Sequence, residues 1–314
     1  MGKLAIEARG LRKRFRGGVV AVDGLELEIE RGMVYGLIGR NGAGKTTTLR
    51  LLMGLLRANA GTARVLGMDM WTVSAAERAR VAYVSQEQQL HDWMTVGELC
   101  RYAAYLYPAW DQPYAEHLTK YFGLVPDREV GRMSGGEKRK VAMLLTLAAR
   151  PEVLLLDEPA ANFDPIARRE LIGELASVLV DDGGCTILFS THIISDIERI
   201  ADHVGIMDKG KLVTSARLDE LQSTTKRVQV VFEGDTPPPG FRVPGAVRSE
   251  VSGPVVSAVV RLEREDALDE VRRIPGARVN VFPLGLEDMF IELFGAKTAQ
   301  EFVEGEGNGQ RGSE

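Results

Sequence analysis

Cysteine is nearly missing from this sequence: Cys100 and Cys185 are the only two in 314 residues. They match no metal-ligand spacing and no disulfide framework, and read as small apolar residues of a protein in a reducing cytosol. Long hydrophobic runs are missing too. Spanning a bilayer takes roughly 18 to 20 apolar residues, and the best run, Val141 to Ala149, is too short and follows Lys138-Arg139-Lys140. The N-terminus lacks the charged-then-apolar layout of a signal peptide. Ile6 stands where a myristoylation signal needs serine or threonine. A role at a membrane is therefore expected to run through a partner. Positive charge is not in surplus either: the net charge of −5 offers no basic footprint for nucleic acid. No internal repeat is evident.

What is present suits a globular protein that buries a core, with 45% hydrophobic and 26% charged residues. The length fits one large domain or one plus a smaller one. Leu4 to Leu11, Val19 to Val22 and Leu25 to Ile29 read as short strands. Val34 to Ile38, Val81 to Val84, Val153 to Leu156, Thr186 to Phe189 and Val204 to Met207 are apolar runs of the kind buried on both faces. Helices are expected over Thr46 to Leu55, Ile166 to Leu179 and Ile194 to Ala201, and a helical pattern fills Thr95 to Phe122. The alternation predicts an α/β core with a mostly parallel sheet. Trp93, Tyr102, Tyr105, Tyr107, Trp110, Tyr114 and Tyr121 cluster in the helical stretch and read as core.

After about Gln222 the character changes. Thr236 to Gly240 must be a loop. Strands are expected at Val228 to Phe232, Val255 to Leu262 and Arg278 to Phe282, with helices at Asp266 to Arg273 and Leu286 to Phe294. The expected organisation is a large α/β domain over 1–222 with a helical subdomain at about 90–150, a small α+β domain over 223–300, and a disordered tail over 301–314.

Three motifs carry chemistry. Gly39-Arg40-Asn41-Gly42-Ala43-Gly44-Lys45-Thr46 is a phosphate loop between a strand and a helix. Its glycines turn backbone N–H groups inward, and the helix that follows, through Thr47, aims its positive end at the same phosphate. Lys45 supplies a charge to the β- and γ-phosphates and Thr46 a hydroxyl to Mg²⁺. Asp157 and Glu158 end an apolar strand: one carboxylate can hold Mg²⁺, the other can polarise a water. Neighbours on a strand face opposite ways, so a sharp turn helped by Pro159 has to bring Glu158 back. Ser134-Gly135-Gly136-Glu137 opens a helix. It can be a capping box, yet two glycines there cost about 0.8–1 kcal/mol each against alanine. The cations Lys138, Arg139 and Lys140 also oppose the helix dipole. An anion docked at Gly135 and Gly136 would relieve both, and the two readings are compatible.

The ordered set resembles the ATP-binding-cassette (ABC) ATPases over residues 4 to 215 or so. The resemblance implies a P-loop ATPase core with an antiparallel β subdomain and an inserted helical subdomain. It implies two cassettes closed face to face on two ATP molecules, with Ser134, Gly135, Gly136, Glu137 and Asp164 contacting the nucleotide of the other subunit. Phe15 matches the ring that stacks on adenine. Gln86 matches the glutamine on Mg²⁺ that relays closure to the membrane partner. Asn162-Phe163-Asp164 matches the loop that crosses the interface, and His192 the histidine on the γ-phosphate; taken alone, His192 would read as structural. Lys45, Glu158 and His192 form the implied catalytic set, and Thr46, Gln86 and Asp157 the implied Mg²⁺ ligands. Met133 and Glu137 replace the usual leucine and glutamine, and Glu137 adds negative charge beside the phosphate.

The implied protein is a cytoplasmic ATPase subunit of a bacterial exporter, a homodimer held at the membrane by a separate permease. Two alternatives stand beside it: a non-transport cassette, which usually carries a coiled coil or two tandem cassettes, and a cassette that pairs with a different subunit. The C-terminal part resembles an extension of exporter ATPases, with homodimer contact, regulation or stabilisation as its role.

Overall fold

Residues 153–157 are buried without exception, as a continuous apolar run requires when both faces of a strand are covered. Burying each of Leu154, Leu155 and Leu156 stabilises by about 1.5–3 kcal/mol. The computed structural model describes residues 3–86, 89–161, 163–182, 184–234, 236–261 and 268–294. It divides into two compact units between Ser215 and Ala216.

In the first unit, β1 (Leu4–Arg14), β2 (Val20–Glu30) and β4 (Ala60–Val65) form an antiparallel sheet in the order β2-β1-β4. The second sheet contains β3 (Val34–Gly39), β5 (Val81–Val84), β6 (Val153–Asp157), β7 (Thr186–Thr191), β8 (His203–Asp208) and β9 (Lys211–Arg217). Its order is β5-β6-β7-β3-β8-β9, and the pairs from β5 to β8 are parallel. Helix α1 (Lys45–Leu52) packs against strands of both sheets, and one apolar cluster joins Ile6, Leu25, Leu37, Leu49, Leu155 and Leu188.

Short α2 (Ala75–Arg78) leads into β5. Beyond it come α3 (Val96–Leu106), α4 (Gln112–Tyr121) and α5 (Gly135–Ala148), with α4 and α3 packed on α5. Helices α6 (Pro165–Asp182) and α7 (Ile194–Ile200) flank β7 in sequence.

Several expectations change. Helix α1 stops at Leu52, not Leu55, because Gly54 turns left-handed at φ 71°. The Gly54 and Leu55 N–H groups then bond to the Leu51 and Arg50 carbonyls, a Schellman ending. The helical stretch from Thr95 to Phe122 is two helices, broken at Tyr107–Asp111, where Asp111 caps α4 with Pro113 in its first turn. None of the aromatics read as core is buried: Tyr107, Trp110 and Tyr114 are half-buried and the others exposed, while Phe122 at the end of the stretch is the buried ring. Helix α3 buries Val96, Leu99 and Ala103, a stripe at helical spacing, and Tyr102 and Tyr105 lie off it. Tyr105 is 89% exposed, and Trp93 and Tyr121 are exposed as well.

The first helix of the second unit is α8 (Leu218–Thr224). Strands β10 (Thr225–Phe232), β11 (Ala246–Ser252), β12 (Val255–Arg261) and β13 (Ala277–Pro283) form an antiparallel sheet in the order β11-β12-β10-β13. Val228, Val230, Val256 and Val260 share a core with Leu268 and with Val271 of α9 (Asp269–Arg272). Helix α10 (Leu286–Phe294) buries Leu286, Met289 and Phe290. The expectations on Asn162, Leu262, Asp266, Ala267 and the tail lie outside the described residues.

Candidate nucleotide site

Strand β3 delivers a loop whose last residue, Gly44, sits at φ 107°. A Cβ there would lie 2.3 Å from the Ala21 carbonyl oxygen, so a side chain is excluded both by space and by the backbone conformation. Gly44 gives α1 no side-chain cap, which leaves the first-turn N–H groups unclaimed by any cap side chain. Lys45 is buried, and its Nζ donates to the Gly39 carbonyl at 2.5 Å and the Arg40 carbonyl at 3.4 Å. Asn41 and Gly42 are exposed, whereas Ala43 is buried and accepts from the Gly210 N–H. Thr47 is half-buried on α1.

Asp157 is fully buried at the end of β6. Its Oδ1 accepts from Thr46 Oγ1 at 2.9 Å and Ser190 Oγ at 2.8 Å, and its Oδ2 from the Tyr83 hydroxyl at 3.3 Å. Ser190 and Tyr83 were not singled out from the sequence. The signal is strand order: Ser190 is the β7 partner of Asp157, and β5 pairs β6 from the other side. Thr46 and Asp157 offer hard oxygen donors, which suit Mg²⁺. That ion takes few protein ligands and keeps water and phosphate for the rest of its octahedron.

Glu158 itself is the expected turn, at φ 51°. This left-handed conformation costs a non-glycine residue of order 1–3 kcal/mol, and the Glu158 N–H is held by the Ser190 carbonyl and hydroxyl, each at 3.1 Å. The reversal puts both carboxylates into one site. Glu158 Oε1 lies 3.4 Å from Lys45 Nζ and Oε2 lies 2.7 Å from His192 Nδ1. Burial pushes the Glu158 carboxyl up, but the His192 hydrogen bond and the Lys45 charge outweigh it, so it titrates below the ordinary carboxylate range. Burial lowers the Lys45 ammonium, against the raising influence of Glu158 and Asp157.

Lys45, Thr46, Asp157, Glu158 and His192 thus form one bonded set. The other expected residues lie outside it. The exposed Phe15 ring follows β1, with Lys13 Nζ 5.3 Å from its centre. Gln86 is exposed, and its carbonyl accepts from Arg139 at 2.6 Å. Exposed Asp164 accepts from the N–H groups of Ile166 and Ala167 at the start of α6.

Ser134 caps α5 in a complete capping box with Glu137. The three cations that follow, expected to be opposed by the helix dipole, each have a partner that offsets that cost. Lys138 pairs with Asp92 at 2.7 Å, Arg139 lies 5.7 Å from the Phe163 ring centre, and Lys140 is 3.7 Å from Glu170. Gly135 remains informative, because a Cβ there would meet open space: packing within the chain does not demand glycine.

Residues 22–161 match the family model described as ABC transporter. The chain is 33% identical over 307 residues to the Nod factor export ATP-binding protein I of Ralstonia nicotianae, covering 92% of this chain and 94% of the relative. It is 35% identical over 226 residues to the daunorubicin/doxorubicin resistance ATP-binding protein DrrA of Streptomyces peucetius, covering 70% and 67%. Among solved structures, an ATP-binding subunit of an ABC transporter superposes with a TM-score of 0.63 at 26% identity, covering 70% of this chain and 92% of that one. With its phosphate loop and paired carboxylates in one site, this chain belongs to the ABC transporter ATP-binding proteins and is an ATPase of that family.

Proposed function

We propose that this chain is the ATP-hydrolysing subunit of an exporter, working as a homodimer beneath a separate membrane permease. The observation that carries the catalytic part is the Glu158 carboxylate held between Lys45 and His192. The export-type relatives support the direction of transport. Among the described residues no helix is long and apolar enough to cross a membrane, which accords with a separate permease.

Lys45 exchanges the Glu158 carboxylate for the β- and γ-phosphates when ATP binds. That exchange frees Oε1 to accept a proton from the attacking water, while His192 holds Oε2. A group ionised at neutral pH meets that need. Donation by His192 to Glu158 and to the γ-phosphate together requires its doubly protonated form. Thr46 and Asp157 would hold Mg²⁺, with Gln86 as a further oxygen donor; bound there, the ion would neutralise charge on the phosphates. Phe15 stacks on adenine. The loop from Gly39 to Thr46, with Thr47, wraps the phosphates of one ATP. Ser134, Gly135, Gly136 and Glu137, with Asp164, close on it from the second copy. The open space at Gly135 supports that approach.

Glu158→Gln tests the reading. The variant is expected to bind ATP, to lose turnover by about 10²–10⁴-fold, and to run as an ATP-dependent dimer on size exclusion. Unchanged turnover, or a monomer at saturating ATP, refutes it.

A further inference from the structure

A carboxylate in the first turn of a helix favours the helix dipole but repels any anion brought to the same N–H groups. Glu137 is such a carboxylate, and it is doubly restrained. Its Oε2 accepts from the Ser134 N–H and hydroxyl, each at 2.9 Å. Arg128 meets the same carboxylate with both arms, Nη1 to Oε1 at 2.5 Å and Nη2 to Oε2 at 3.3 Å. Nη2 also donates to the Arg132 carbonyl at 3.2 Å, on the short turn Val130–Arg132 that leads into Ser134. The neighbouring Lys138 is engaged by Asp92.

The fork geometry fixes orientation as well as charge, which a lysine would not do. Both side chains are over one-third exposed. A pair so exposed contributes little to folding.

We propose that Arg128 is a positioning residue for nucleotide binding: it neutralises Glu137 and turns the carboxylate back, so that the first turn of α5 accepts a phosphate anion. The inference rests on the reading of Ser134 to Gly136 as contacts to the ATP of a second copy.

Steady-state hydrolysis by the full chain, across ATP and salt concentrations, tests it. Arg128→Gln is expected to raise the KM for ATP by about fivefold at low salt, more than it changes kcat. The increase is expected to shrink as salt screens the exposed carboxylate, and Arg128→Lys to recover part of it. In a Glu137→Gln background, Arg128→Gln is expected to leave KM where that background sets it. The same rise in both backgrounds, a rise indifferent to salt, or no rise overturns the proposal. Gly135→Asp separates phosphate binding by the helix end from the part played by Arg128. If it raises KM while Arg128→Gln does not, the helix end binds phosphate and Arg128 has no part in it. If it leaves KM unmoved, the reading of α5 as a phosphate contact fails and the proposal fails with it.

Discussion

The Glu158 carboxylate and the His192 imidazole meet at 2.7 Å, brought together by a single left-handed residue at the end of β6. That contact opposes the effect of burial on Glu158. His192→Ala removes it and leaves burial opposed by Lys45 alone, which moves the group toward the protonated acid. The acid limb of the pH–rate profile is expected to move to higher pH. Turnover near neutrality is expected to fall on the order of a hundredfold. A full pH profile of kcat checks both.

Asp111 joins two parts of the helical region. Its Oδ1 accepts from the Tyr114 N–H at 2.9 Å and its Oδ2 from Arg150 at 2.8 Å, while the Arg150 guanidinium lies 3.9 Å from the Tyr114 ring centre. Asp111→Ala is expected to cost about 1–2 kcal/mol, mostly the helix cap. Arg150→Ala should cost less in that background than alone. Urea unfolding of the two single variants and the double variant measures the difference.

Glu152 receives Arg80 at 2.5 Å and Arg31 at 3.2 Å. The Arg80 hydrogen bond, with Arg31 adding to it, holds the carboxyl below its ordinary range. The folded pKa is depressed, so the stabilisation is present above the unfolded value and is lost as pH falls through the folded one. Glu152→Gln is expected to destabilise by less than about 1 kcal/mol near neutrality, since the group is partly exposed. The difference from the unsubstituted chain should vanish in acid and shrink in salt, as melting temperatures will show.

Tyr35 and Gly205 lie on adjacent strands, and a Cβ on Gly205 would fall 2.2 Å from the Tyr35 hydroxyl. Tyr35 is buried and its hydroxyl bonds to Ser215 at 2.8 Å. Gly205→Ala is therefore expected to cost about 1–3 kcal/mol by overpacking, and Tyr35→Phe about 1 kcal/mol for the lost hydrogen bond. Combining them should not rescue the first, because ring carbons also lie within 2.8 Å of the added methyl. Thermal unfolding of all three decides it.

Features written in consecutive residues were legible before any coordinates: the phosphate loop, the buried runs of β3, β6 and β7, the Ser134 cap and the α/β alternation. Each is set by its own spacing of apolar, glycine and capping residues. Strand β4, with mostly exposed residues and no apolar run, gave no such signal and forms by pairing with β1. Only the folded chain brought Ser190 and Tyr83 to Asp157, because strand order joins positions remote in sequence. Only it turned the aromatics of α3 outward and aimed the Glu137 carboxylate at Arg128. Local patterns depend on neighbours along the chain, whereas partners across strands and between helices depend on how those elements pack.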